Sequence, residues 1–326
     1  MGRQTKPSAG VIGLGTIGGR VVSALRRNGY QVWLHNRSPR PEPNFLCSPA
    51  EVAEATSHIQ IFVSDGSALL SVVRALAPAL TPDHIVMNHA TVSPHETREA
   101  ADLVTARHAN FLDAPFTGSR DAAELGELVY YIGGDPAVLA SVRPMLEASS
   151  KAILEIGDIG QASIMKIATN LLVATAVESL AEAHALLDKN GIELHKLALA
   201  LESHAARSPL ADMKIPAMLA GDFEPRFSLK HMFKDIQLAL GLAAEKEIEL
   251  PAASAFAGAA MAGIQQGWGD SDFSVVARFY GFPGQGHSVS EPAADSQPDR
   301  PDRPDRPAAP VARAAGLRWN PFRGRK

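Results

Sequence analysis

The sequence predicts an α/β protein of two domains, in which a largely parallel β-sheet is followed by an all-helical domain. Short apolar runs typical of β-strands alternate with helix-like segments over the first half of the chain. Residues 161–189 contain neither proline nor glycine and are dominated by Ala, Leu, Val and Ile. This second observation predicts one long helix, which we expect to join the two domains.

We therefore expect a sheet domain over residues 8–160, a helical domain over residues 161–280 that begins with the long helix, and a tail over residues 281–326. In the tail the triplet Pro-Asp-Arg occurs three times in succession, and such closely spaced prolines and charges predict a disordered segment. The later apolar runs lie closer together, so the far part of the sheet should be mixed. After the first, the expected strands are residues 31–34, 59–63, 85–87, 111–113, 129–132 and 153–156.

Composition excludes several classes of protein. The single cysteine, Cys47, excludes an internal disulfide and a multi-cysteine zinc site, and no metal is expected. A net charge of −4 gives no reason to expect nucleic acid as a partner. No uninterrupted run of 18 or more apolar residues is present, so we expect no membrane span. The amino terminus lacks a secretory pattern, which favours the cytoplasm.

A glycine-rich turn lies where the first strand should end and the first helix should begin. Its glycines permit a tight turn, let the backbone approach a pyrophosphate, and let helix and strand pack closely. The start of the helix would then offer free N–H groups to the phosphates. The pattern therefore predicts a Rossmann-type dinucleotide-binding domain. The turn reads Gly13-Leu14-Gly15-Thr16-Ile17-Gly18.

The end of the second expected strand bears on which dinucleotide binds. Enzymes that use NAD place an acidic residue here to bind the ribose 2′-hydroxyl. This chain has Asn36-Arg37-Ser38 instead, and Arg37 could pair with a 2′-phosphate. We therefore expect NADP(H) to be preferred over NAD(H). The alternative is that Arg37 is simply a solvated loop residue.

A lysine and an asparagine stand near the start of the long helix. Lys166 lies between Met165 and Ile167, and Asn170 follows four residues later on the same helix face. A desolvated lysine beside an oxidised nicotinamide would have a lowered pKa, which suits proton exchange with a substrate oxygen. The alternative is that Lys166 extends to solvent at the start of the helix.

Four motifs in order resemble those of the β-hydroxyacid dehydrogenases, the family related to 3-hydroxyisobutyrate dehydrogenase. They lie at residues 11–18, 113–119, 160–170 and 233–239, where the last reads Phe-Lys-Asp-Ile-Gln-Leu-Ala. The resemblance covers about residues 9–280 and leaves out the tail. Residues 118–128 look most like the glyoxylate and succinic semialdehyde reductase branch. The carboxy-terminal domain would resemble that of 6-phosphogluconate dehydrogenase.

The resemblance implies roles for individual residues. Lys166 would be the general acid/base and Asn170 its partner. The substrate carboxylate would be held by Thr117, Gly118 and Ser119. Thr91 would lie near the nicotinamide, and Lys234, oriented by Asp235, would close on the cofactor from the helical domain.

The expected activity is NADP(H)-dependent hydride transfer to a small aldehyde or keto acid, or the reverse oxidation of a hydroxy acid. Four positions depart from the family pattern and leave the substrate open: Ala90, Thr117, Arg120 and Ala162. Two alternatives remain. One is an imine reductase, although such enzymes usually have Asp or Tyr at the lysine position. The other is a non-catalytic NADP-binding scaffold.

The apolar residues of the long helix are not confined to one stripe, which predicts burial against a second subunit in a homodimer or homotetramer. They are Leu171, Leu172, Val173, Val177, Leu180 and Leu186.

Overall fold

The computed structural model describes residues 8–282, and its first part is an eight-stranded sheet with helices between the strands. The predicted disordered tail lies, apart from its first two residues, outside the described residues. The strands are β1 (Ala9–Ile12), β2 (Val32–His35), β3 (His58–Ile61), β4 (Ile85–Asn88), β5 (Asn110–Asp113), β6 (Phe116–Thr117), β7 (Leu128–Gly133) and β8 (Ser150–Gly157). The helices are α1 (Gly18–Arg27), α2 (Pro49–Ala55), α3 (Gly66–Leu76), α4 (Pro94–Thr105), α5 (Arg120–Leu125) and α6 (Pro136–Glu147), with one 3-10 turn at Ala77–Ala79.

The sheet has the order β2-β1-β3-β4-β5-β7-β6, and β8 also pairs with β7. Neighbours from β2 to β5 are parallel, whereas β7 runs antiparallel to β5 and β6 and parallel to β8. The far part of the sheet is therefore mixed, as its closely spaced apolar runs predicted. The parallel part brings the carboxyl ends of β1 to β5 to one edge, where ligands of open α/β sheets bind.

Helices alone make up the second part of the described chain. Apolar side chains from four of these helices, at Gln161–Lys189, Leu229–Glu245, Pro251–Gln265 and Phe273–Tyr280, form its core. Asp272 caps that 3-10 helix by accepting a hydrogen bond from the Ser274 backbone N–H. The elements are α7 (Gln161–Lys189), α8 (Leu194–Glu202), α9 (Pro209–Leu219), α10 (Leu229–Glu245), α11 (Pro251–Gln265) and the 3-10 helix Phe273–Tyr280.

The predicted long helix is present as α7 over Gln161–Lys189. It packs against β7 and β8 of the sheet and against α9, α10 and α11. By length and composition α7 could cross a membrane, since an 18-residue window of it has a mean hydropathy of 1.4. The expectation of no membrane span rested on a stricter criterion, an uninterrupted apolar run, and it stays a prediction. The core helix of a folded domain passes the same test, and α7 buries Lys166, Asn170 and Glu178 against its neighbours.

Candidate active site

The glycine-rich turn connects β1 to α1 at the carboxyl edge of the sheet. A Cβ on Gly13, whose φ is +98°, would lie 1.9 Å from the Phe62 carbonyl oxygen, and one on Gly18 would lie 2.0 Å from the Gly13 carbonyl oxygen. A Cβ on Gly15 would meet nothing within 4 Å. Gly13 and Gly18 are thus required by packing, whereas Gly15 leaves open space above the backbone for a ligand.

The start of α1 suits an anion. Its N-cap, Ile17, makes no side-chain capping bond, and its first turn carries no acidic residue. The Gly19 and Arg20 N–H groups donate to the Gly15 and Ile17 carbonyls, but no side chain covers the start of the helix, so the helix dipole favours a phosphate at this point. The residues of the turn fit the pyrophosphate of a dinucleotide.

The three residues that follow β2 have different surroundings. Asn36 accepts a hydrogen bond from the Leu14 N–H at 3.0 Å and donates one to the Ser38 carbonyl at 2.9 Å. Both polar atoms of its amide therefore form hydrogen bonds within the protein, and one of these bonds stabilises the glycine-rich turn. Arg37 and Ser38 are exposed, so the Arg37 guanidinium can meet an incoming group.

The segment expected to bind a substrate carboxylate forms β6 and the start of α5. Gly118 has a φ of +136°, which only glycine adopts readily, and Ser119 caps α5 by accepting from the Ala122 N–H at 3.3 Å. The Ser119 hydroxyl hydrogen and that of Thr117 remain as possible donors.

Arg120 forms ion pairs with Asp121 at 3.2 Å and with Glu224 of the helical part at 3.1 Å.

Lys166 is buried on α7, with 9% of its surface exposed, and does not extend to solvent. Its ammonium donates to Asn170 Oδ1 at 2.8 Å, and Asn170 Nδ2 donates to Asp235 Oδ2 at 2.6 Å. Burial lowers the pKa of Lys166 to about 8, an effect that the charge of Asp235 partly offsets and that of Lys234 reinforces. The lysine can therefore both give up and take up a proton near neutral pH.

Lys234 connects the helical part to the sheet. Its ammonium donates to the backbone carbonyl of Thr91 and pairs with Asp235 Oδ1 at 2.7 Å. Lys166, Asn170, Asp235, Lys234 and Thr91 thus form one chain of contacts. The structure brings these predicted residues together, and it shows that Asp235 contacts both Asn170 and Lys234.

Sequence reasoning assigned no role to Asp113, which is fully buried at the end of β5. Its carboxylate accepts hydrogen bonds from the first turn of α7, at Gly160 and Ser163. Burial raises the pKa of Asp113 to about 6, although these donors and Arg98 lower it. The contact joins residues about 50 positions apart, so no local pattern could have indicated it.

Two family models match successive parts of the chain. Residues 8–157 match the NAD-binding domain of 6-phosphogluconate dehydrogenase. Residues 160–280 match the NAD-binding domain of NADP-dependent 3-hydroxyisobutyrate dehydrogenase.

Curated relatives match over most of the chain. Glyoxylate/succinic semialdehyde reductase 1 of Arabidopsis thaliana is 29% identical over 277 residues, which are 82% of this chain and 96% of the relative. The cytokine-like nuclear factor N-PAC of Mus musculus is 28% identical over 85% of this chain, but the match spans only 51% of that protein.

Solved structures show the same architecture. A 3-hydroxyisobutyrate dehydrogenase from Salmonella typhimurium has 26% identity and a TM-score of 0.76, covering 84% of this chain and 100% of that one. An imine reductase variant from Myxococcus stipitatus, in complex with NAD+, has 21% identity and a TM-score of 0.58, covering 84% and 99%. The second likeness bears on the fold alone.

Proposed function

The chain belongs to the β-hydroxyacid dehydrogenase family, and from this we propose that it transfers a hydride between NADP(H) and a small hydroxy acid or its aldehyde or keto acid. The observation that carries the proposal is the buried lysine. Lys166 has a pKa near 8 and is bonded to a neutral amide, in a protein with an NAD(P)-binding domain. Such a lysine is suited to act as a general acid/base. Lysines are rarely buried without a charged partner, so its burial indicates a functional role.

In the proposed reaction, a bound nicotinamide supplies or accepts the hydride at the carbonyl carbon. Lys166, as the ammonium, donates a proton to the substrate oxygen during reduction and takes it back, as the amine, during oxidation. Its positive charge stabilises the developing alkoxide. Thr117, Gly118 and Ser119 hold the substrate carboxylate, which places the carbonyl within reach of Lys166.

For the substrate, we propose a short acid that carries an aldehyde or ketone. The Arabidopsis relative is named a glyoxylate/succinic semialdehyde reductase, and this name supports the proposed class of substrate. A panel of glyoxylate, succinic semialdehyde, tartronate semialdehyde and 3-hydroxyisobutyrate, each with NADPH or NADP+, tests it. We expect turnover of at least one member, and no turnover of any would contradict the proposal.

For the cofactor, we propose a preference for NADP(H) through Arg37. Arg37→Ala should lower kcat/KM for NADPH by about 10- to 100-fold and leave NADH almost unchanged, because charged hydrogen bonds contribute about 1.5–3 kcal/mol. Arg107→Ala, another exposed arginine, is the matched control. Equal kcat/KM values for NADH and NADPH in the unmodified enzyme would contradict the preference.

Two other functions remain as alternatives. One is an NADPH-dependent imine reductase, because imine reductases share this fold, and a cyclic imine assay would detect that activity. The other is a non-catalytic NADP-binding scaffold, which the match to N-PAC keeps open because that protein is named as a nuclear factor and not as an oxidoreductase. Tight NADPH binding without turnover of any carbonyl compound would favour the scaffold.

We also propose a homodimer or homotetramer that covers α7. Leu172 and Leu186 on this helix are 66% and 68% exposed in the single chain. Such large apolar side chains along one helix favour burial against a second copy. Light scattering that detects only monomer would exclude this assembly.

A further inference from the structure

The candidate site is built from three segments that are distant in sequence. The first is the turn from Thr91 to Ser93 before α4, the second is the substrate segment that follows β5, and the third is the start of α7 with Lys166. For hydride transfer, the groups on these three segments must keep their relative positions to within a fraction of an ångström. Three buried side chains, Asp113, Thr97 and Ser163, meet where the segments approach one another.

Asp113 joins the substrate segment to α7. Its Oδ2 accepts from the Gly160 N–H at 3.0 Å and from the Ser163 N–H at 2.9 Å, and its Oδ1 accepts from the Ser163 hydroxyl at 2.8 Å. Gly160, the N-cap residue of α7, has no side chain of its own, so Asp113 supplies the cap. Ala114, the next residue along the chain, begins the substrate segment.

Ser163 and Thr97 extend the contact to α4. Their hydroxyl oxygens are 3.0 Å apart. Thr97 Oγ1 donates to the carbonyl of Ser93 at 3.1 Å, and Ser93 is the N-cap of α4 and the end of the Thr91 turn. Because Ser163 donates its only hydroxyl hydrogen to Asp113, the single hydroxyl hydrogen of Thr97 is shared between the Ser163 oxygen and the Ser93 carbonyl. One network therefore reaches all three segments.

The network also bears directly on Lys166. Ser163 and Lys166 are three residues apart on α7, so they lie on the same face of the helix. A displacement of the first turn of α7 would therefore move the lysine ammonium as well. A shift of about 1 Å in such a group can cost about 10² in rate.

We propose that Asp113, Ser163 and Thr97 are positioning residues, which hold the lysine-bearing helix in register with the substrate segment and the Thr91 turn. The proposal rests on the proposed function, because it assigns the network a task in hydride transfer. None of the three side chains need touch the substrate or the cofactor.

The test compares variants that remove one hydroxyl each. Ser163→Ala and Thr97→Val should lower kcat by about 10- to 100-fold and leave the Kd for NADPH within about twofold. Thr97→Ser keeps the hydroxyl and should restore kcat to within about threefold of the unmodified enzyme. Ser149→Ala is the matched control, since Ser149 is also buried and also bonds a hydroxyl, that of Tyr130, at 2.9 Å.

The outcomes separate this proposal from the proposed function. Loss of kcat in both hydroxyl-removing variants, recovery in Thr97→Ser and an active Ser149→Ala variant would support positioning. If the unmodified enzyme turns over substrate and Ser163→Ala keeps its kcat within twofold, the network inference is wrong and the proposed function stands. If Ser149→Ala loses kcat equally, the effect is one of general stability and the inference is also wrong. An unmodified enzyme that turns over no substrate would overturn both.

Discussion

Two buried lysines in this protein have different surroundings. Lys214 on α9 is 2% exposed and forms an ion pair with Asp272 at 2.5 Å. Lys166 on α7 is 9% exposed, and its ammonium donates to the neutral amide of Asn170. Burial lowers the pKa of both lysines, but only Lys214 has a carboxylate in direct contact to favour its charge.

The Lys214–Asp272 pair is part of a larger group of hydrogen-bonded residues. Asp272 also accepts hydrogen bonds from the backbone N–H groups of Arg226, Phe227 and Ser274, and the Lys214 ammonium lies 4.4 Å from the centre of the Phe273 ring. This pair fastens α9 to the last 3-10 helix. A buried lysine in direct contact with a carboxylate, such as Lys214, is suited to a structural role. A buried lysine that contacts a neutral amide, such as Lys166, can still exchange its proton.

The largest effect that tests this comparison concerns Lys166. Lys166→Met should lower kcat by about 10²–10⁴ and leave the protein folded, because a methionine fills similar volume without an exchangeable proton. Steady-state kinetics with NADPH and circular dichroism measure the two effects. Lys189→Met, at the exposed end of the same helix, is the control and should retain full activity. If Lys166→Met retains turnover, Lys166 is not the general acid/base, and the functional difference between the two lysines is contradicted.

Lys214 should show the opposite pattern. Lys214→Met leaves the Asp272 carboxylate buried without its cation, so the free energy of unfolding should fall by about 3–5 kcal/mol. The Lys230–Asp270 pair has the same 2.5 Å distance, but its side chains are 53% and 88% exposed. Lys230→Met should therefore lower the free energy of unfolding far less than Lys214→Met does. Chemical denaturation measures the free energy of unfolding of both variants. Equal decreases in the two variants would contradict the idea that burial makes the Lys214–Asp272 pair important for stability.

The pH dependence of turnover should report the pKa of Lys166. The kcat/KM value reports the free enzyme, and reduction needs the ammonium, so kcat/KM for reduction should fall about tenfold per unit as the pH rises above about 8. Oxidation needs the amine, so kcat/KM for oxidation should instead rise with pH up to about 8 and then level off. Profiles measured in both directions on one substrate pair check this sign, and parallel profiles would show that another group is rate-determining.

The smallest effect is a shift of that profile. Asn170→Asp places a carboxylate beside Lys166 and removes the amide that donates to Asp235, so two carboxylates would then face the ammonium groups of Lys166 and Lys234. The added charge favours the ammonium, so the alkaline limb for reduction should move up by about one pH unit or more. Asn190→Asp, beyond the end of α7, is the control. An unmoved limb in Asn170→Asp would mean that Lys166 does not set the profile.

Much of the fold could be predicted because its signals are local. Alternating strands and helices, the Gly13 to Gly18 turn and the absence of proline and glycine in residues 161–189 each act within a few turns of chain. The short strand β6 could not be predicted, because it depends on pairing with β7. The capping of α7 by Asp113 was also hidden, since its partners lie about 50 residues away.

The two buried lysines show what the sequence determines and what the tertiary structure determines. Both stand in the same tripeptide, Met-Lys-Ile, at residues 165–167 and 213–215. By itself the sequence determined the sheet domain, the helical domain, the glycine-rich turn and the motifs that marked Lys166 as the candidate. Only the tertiary structure decided that Lys214 is neutralised by Asp272 while Lys166 meets an amide, because the pKa of a buried lysine depends on the charges that folding brings beside it.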